Sequence, residues 1–168
     1  MPPSNPPKLL TYPCAGSICR VETPMAFIEW QSDYDTKLPD VDREHHTLVD
    51  MVNRLHAAMV AGTAHDVMQQ TLADLLAYTK THFANEERMM KQSGFPGFAA
   101  HKQLHDGLTA QVHDFVARHN AGRAAISIQL LQFLRKWLVE HIQNSDKRFA
   151  AHVRGRMGRS SSPELAMR

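Results

Sequence analysis

Apolar residues recur at three- and four-residue intervals along most of this chain, and no stretch alternates for long enough to predict a strand. The first stripe, Val41, His45, Leu48, Val49, Val52, Leu55 and Met59, predicts a helix over about 41–61, closed by Gly62. The second, Leu72, Leu75, Leu76, Thr79, His82, Phe83, Glu86, Met89 and Met90, predicts a helix over about 64–92. Thr63 and Asp66 suit a capping box at its start, and Gly94 and Pro96 stop it. The third, over about 98–119, carries His101, Leu104, His105, Leu108, Val112 and Phe115, and Asn120 and Gly122 break it. The fourth, over about 124–153, carries Leu130, Phe133, Leu134, Trp137, Leu138, His141 and Ser145, with Asp146 at its edge. Four long helices with short links predict an all-α fold, an up-down-up-down antiparallel four-helix bundle with an N-terminal arm.

The domain limits follow from composition. Residues 1–24 hold Pro2, Pro3, Pro6, Pro7, Pro13 and Pro24 with little apolar pattern, and are expected to be a loose arm. The bundle is expected over 25–154, with the Trp30 segment lying across its mouth, and 155–168 as a flexible tail. Met25 opens a different composition and is an expected alternative start. Lys8 is followed by only two leucines before Tyr12 and Pro13, so no signal-peptide core is read, and a cytoplasmic protein is expected. The net charge of +2 offers no footprint for nucleic acid or a membrane surface, and there is no long apolar run. Cys14 and Cys19 both fall in the arm, too far from the stripes to staple the core.

The stripes are interrupted by groups that carry chemistry. The first helix has His45, with His46 off the stripe; the second has His82 and Glu86; the third has His101 and His105; the fourth has His141 and then Asp146. A polar side chain on a buried face costs several kcal/mol, by a rough estimate, unless a partner compensates it. Residues four apart share a helix face, so His82 with Glu86, and His101 with His105, each present two donors to one region. At 3.6 residues per turn, His141 and Asp146 stand about 140° apart and flank the inward direction. In an up-down bundle, early in the first and third helices and late in the second and fourth is one level. Seven candidate ligands therefore converge there. Seven are too many for one tetrahedral zinc and suit two metals bridged by carboxylates. The donor types admit iron, manganese or zinc. His56, His65, His113, His119 and His152 are read as non-ligands, with His56 and His119 on inward faces near the other end. Glu87 points about 100° away from Glu86 and is read as solvated or as a partner of a ligand.

Trp30, the run Val41-Asp42-Arg43-Glu44-His45, the run His82-Phe83-Ala84-Asn85-Glu86-Glu87, His101-x3-His105 and Trp137-Leu138-Val139-Glu140-His141-x4-Asp146 stand in one order. In that order, from about Phe27 to Phe149, the chain resembles the hemerythrin family, specifically its bacterial single-domain members. The resemblance implies two non-haem iron ions per chain, one on His101, His105 and His141 and the other on His45 and His82. Glu86, Asp146 and an oxo or hydroxo group would bridge them, and the second iron would keep a position for dioxygen. Leu138, Trp137, Phe83 and Met89 are the expected walls of the dioxygen pocket. Glu44 and His46 stand where the family usually has Gln and Lys. Glu44 is read first as a favourable charge near a helix start, and otherwise as negative field near the site.

The implied function is reversible dioxygen binding for storage, delivery or scavenging. The alternative is a di-iron oxidase, peroxidase or nitric-oxide-handling enzyme, or an oxygen or iron sensor. No inward acid or base beyond the ligands supports the enzyme. The expected partners are dioxygen and an oxygen-consuming enzyme, with the chain itself a monomer.

Overall fold

The computed structural model describes residues 26–121 and 126–160; the arm expected over 1–24, with Cys14 and Cys19, lies outside them, as do 161–168. The helices are α1 (Pro39–Val60), α2 (Ala64–Ser93), α3 (Phe98–Asn120), α4 (Ile126–His141) and α5 (Lys147–Ser160). A π-turn, Ile142–Asp146, joins α4 to α5, and a 3-10 turn, Ser32–Tyr34, precedes α1. No strand occurs among the described residues. Each helix packs on its neighbours in the chain and α1 closes the ring on α4, while α5 leans onto α2. This is the four-helix bundle expected from the stripes, with α4 and α5 together forming its fourth arm.

Local chemistry sets the helix ends. Pro39 opens α1, where a missing N–H costs nothing. The Asp42 carboxylate reaches back to accept from the Thr36 hydroxyl and from the backbone N–H groups of Thr36 and Lys37. Thr63 opens α2, but its hydroxyl donates to the Ala58 carbonyl rather than capping, so the expected capping box is not formed. Gly94 closes α2 at φ +64°, a left-handed conformation that favours glycine. There the Phe95 N–H reaches the Met90 carbonyl.

Two apolar clusters bracket the ligand level. The larger fills the bundle with Leu55, Leu72, Val112 and Leu130. The smaller closes the other side with Val41, Met90, Phe149 and Ala150. Most stripe positions are buried. Leu104 is an exception: it is 45% exposed, because His101, His105, Leu108 and Val112 already form the inward row of α3. At the other end of the chain, α5 carries the helix past residue 155 to Ser160.

The segment before α1 runs along the bundle instead of covering its mouth. Ile28 exchanges two hydrogen bonds with the Asn53 side chain, donating to Oδ1 and accepting from Nδ2. Phe27 stacks on His56, Trp30 stacks on His46 at 3.8 Å between ring centres, and Trp30 Nε1 donates to Asp35. His56 thus finds its partner in the N-terminal segment. The His119 side chain is outside the described set.

Candidate metal centre

All seven expected ligands meet in one buried cluster, none more than 5% exposed. The Nε2 atoms of His101, His105 and His141 form a near-equilateral triangle with edges of 3.1, 3.2 and 3.1 Å. Nitrogens so placed share a point about 2 Å from each, the ordinary metal–imidazole distance. Opposite them, His45 and His82 form a second group that shares Glu86 with the first.

The carboxylates lie between the groups. Asp146 turns Oδ1 to His101 (3.2 Å) and His141 (3.1 Å), and Oδ2 to His45 (3.2 Å). Glu86 turns Oε2 to His105 (3.3 Å) and His101 (3.6 Å), and Oε1 to His45 (3.8 Å). Each carboxylate therefore offers one oxygen to each histidine group, the arrangement that bridges two cations.

The π-turn makes this possible. A regular helix would carry Asp146 about 140° from His141. The wider turn absorbs one extra residue and returns Asp146 to the inner face, with its nearer oxygen 3.1 Å from His141 Nε2. The expectation that the two flank the inward direction is corrected accordingly.

Partners outside the cluster orient the rings. His82 Nδ1 lies 2.7 Å from Glu44 Oε2, and Glu44 also accepts from Asn85. His105 Nδ1 lies 3.2 Å from Glu87 Oε1. A carboxylate at Nδ1 draws the proton there and leaves Nε2 bare for a metal. Glu44 thus touches a candidate ligand's ring, more than a charge near a helix start would do. Phe83 lies flat on His105 at 3.6 Å between ring centres, and Trp137 on His141 at 4.2 Å.

The cluster leaves polar atoms that protein groups do not satisfy. Both ring nitrogens of His45 and all four carboxylate oxygens of Glu86 and Asp146 are buried without a hydrogen-bond partner. His45 Nε2 and Asp146 Oδ2 are 3.2 Å apart but not in hydrogen-bonding geometry. Orphaned buried atoms of this kind are costly, and they fit a pair of bound cations.

Comparison with known proteins agrees. The hemerythrin HHE cation binding domain matches residues 36–153. The chain belongs to the hemerythrin family. It is 36% identical over 124 residues to a bacteriohemerythrin of Methylococcus capsulatus, covering 73% of this chain and 94% of that one. It is 34% identical over 133 residues to a bacteriohemerythrin of Pseudomonas aeruginosa, with 79% and 86% covered. A wild-type hemerythrin crystal structure superposes with a TM-score of 0.71 at 33% identity, covering 76% of this chain and 98% of the other. Hemerythrins bind a di-iron centre, and the cluster here is able to hold metal ions.

Ionisation in the metal-free hemerythrin chain sets a pH signature. Burial alone would lower His101, but its contacts with Asp146 and Glu86 raise it to about 9. Burial and Asp146 would raise Glu86, yet His101 and His105 hold it down to about 2. Burial would raise Asp146 too, but His141, His101 and His45 keep it well below the usual carboxylate range. A His raised from 6.5 stabilises the fold fully below 6.5 and loses that contribution as pH climbs through about 9. A Glu lowered from 4.5 stabilises above 4.5 and loses that contribution as pH falls through about 2. The chelated protein is therefore expected to melt higher near pH 6 than near pH 9, roughly the two sides of the His101 shift. An iron ion held at His101 would compete with the proton for the same nitrogen, so iron affinity should rise over that interval. Melting curves and chelator competition at the two pH values check this; two slopes of the same sign would exclude competition at His101.

Proposed function

We propose that this hemerythrin binds dioxygen reversibly at two iron ions held by His45, His82, Glu86, His101, His105, His141 and Asp146. One observation carries the reading: two buried carboxylates each direct one oxygen to a trio of histidines and the other toward a pair. His101, His105 and His141 hold one iron, His45 and His82 the other, and Glu86 and Asp146 span both. A pair of ferrous ions held here would supply the two electrons that reversible dioxygen binding requires. With the spanning carboxylates counted on both sides, the pair offers one protein donor fewer than the trio, so an ion held by His45 and His82 would be the one with room for dioxygen.

The surroundings suit an apolar diatomic. A cavity of about 20 Å³ is lined by Phe83, Trp137 and Leu138, with Leu48, Thr79 and Leu108 also contributing. Leu138 precedes His141 by three residues, and Leu48 and Leu108 follow His45 and His105 by three, so the cavity lies about one turn from the ligand level. Its mostly apolar walls disfavour water and the protons that water delivers. Met89 is not among these residues; it packs on the smaller cluster with Phe95 and Phe98. Glu44 and Glu87 hold their imidazoles in the ligating tautomer.

Binding rather than catalysis follows from family membership, and storage, delivery to an oxygen-consuming enzyme, or scavenging are its uses. A cytoplasmic monomer is our reading of the state. In its support, the large exposed apolar residues Val60, Leu104, Ile128 and Met157 are spread over separate helices.

The test is optical. The protein is loaded with ferrous iron under argon, exposed to air and purged again. A visible band that appears with dioxygen and fades on purging establishes the carrier. A band that passes irreversibly to the ferric form favours the oxidase or sensor reading, and failure to bind iron overturns the di-iron assignment.

A further inference from the structure

We propose that dioxygen reaches the buried centre through the seam between α2 and α3, crossing a partition formed by Thr79, Phe83 and Val112. The inference rests on the dioxygen-binding reading above.

Two observations carry it. On the outer face of the α2–α3 seam lies a groove of about 450 Å³, walled by residues that include Lys80, Ala84 and Glu87 on α2 and Asp106, Thr109 and His113 on α3. Its floor includes Thr79, Phe83 and Val112, and these same three residues line the interior cavity. Groove and cavity are therefore one side-chain layer apart. The grooves flanking the N-terminal segment, lined in part by Phe27, Asn53, His56, Gln132 and Val139, share no lining residue with the cavity. The groove floor also includes His105, on which the Phe83 ring lies flat. One aromatic ring thus stands between solvent, cavity and a candidate ligand.

The cavity suits a transient stop. A space of this size holds one small molecule, and a mainly apolar lining prefers an apolar gas to water. Thr79 is the smallest side chain in the partition and is 4% exposed, so its removal opens the layer without exposing a large surface. Ala84 is exposed on the groove wall, where a large side chain covers the approach without entering the core.

A barrier on the path changes association and dissociation by one factor and leaves their ratio alone, because neither end state is altered. In iron-loaded protein, stopped-flow mixing should show both rate constants rising severalfold in Thr79→Ala and falling severalfold in Ala84→Phe. The dissociation constant and the iron content should be unchanged in both. Gln132→Trp, on a groove that does not meet the cavity, should leave both rates at the wild-type value. An iron-independent readout uses zinc-loaded protein with Trp30→Phe, where Trp137 on the cavity wall is the sole indole. Quenching of its fluorescence by dissolved oxygen should strengthen with Thr79→Ala and weaken with Ala84→Phe, which covers the approach without adding an indole. Unaltered rates and quenching in both variants, or slowing by Gln132→Trp alone, would overturn the seam. Loss of reversible colour in the wild-type protein would instead overturn the reading beneath it.

Discussion

Glu86→Ala is expected to abolish stable binding of both iron ions. Glu86 is fully buried and belongs to both histidine groups, with one oxygen toward His101 and His105 and the other toward His45. Without it, the His45–His82 pair keeps only Asp146 as a carboxylate on its inner side, since Glu44 faces the outer nitrogen of His82, and the trio loses an anion that helps hold its nitrogens together. Outer partners of ligating histidines already cost about 10–100-fold in metal affinity when removed, and a shared carboxylate should cost more. Iron per chain after reconstitution and gel filtration measures this. Retention of the full wild-type iron content would show that Glu86 does not span the two positions.

A single alanine inserted after Asn144 should be equally damaging, whereas deletion of Asn144 should be tolerated. The π-turn already accommodates one residue beyond the α-helical repeat. A further residue would swing everything after it by about 100°, carrying Asp146 off the inner face and Phe149 and Ala150 out of the smaller cluster. Loss of a fully buried phenylalanine's packing costs about 3–5 kcal/mol by itself. Deletion instead leaves His141 and the aspartate four residues apart, on one face of an ordinary helix. Asn144 is exposed, and its side chain bonds only the Glu140 carbonyl. Insertion is expected to lower both iron content and melting temperature, and deletion to preserve both. Iron binding that survives the insertion would mean the π-turn does not position the carboxylate.

The same turn marks where the sequence stopped being readable. The four stripes announced the helices because burial imposes a 3.6-residue period, and the candidate ligands stood out as polar residues within it. The stripe also slips phase between His141 and Phe149, with Asp146 five residues after His141. A fixed turn angle turns that slip into a side-on carboxylate, whereas the chain widens its turn because Asp146 belongs inside. Glu44 was obscured differently. Its neighbourhood on α1 suggested helix-start electrostatics, but its partners, His82 and Asn85, are on α2 and close on it only after the helices pack. Met89 shows the limit of stripe reasoning, since one apolar face passes both clusters and spacing alone does not say which cluster a residue joins.

The orphaned nitrogens and oxygens of His45, Glu86 and Asp146 also bear on the life of the protein in a cell. Newly made chains must place five imidazoles and two carboxylates together in the interior, where protons on the histidines relieve part of the mismatch and bound cations relieve the rest. A chain that finds no iron should therefore open more often at this end of the bundle and be more exposed there to housekeeping proteases. Abundance would then follow metal supply with no change in transcription, and a starved cell would recover the amino acids of carriers it cannot fill.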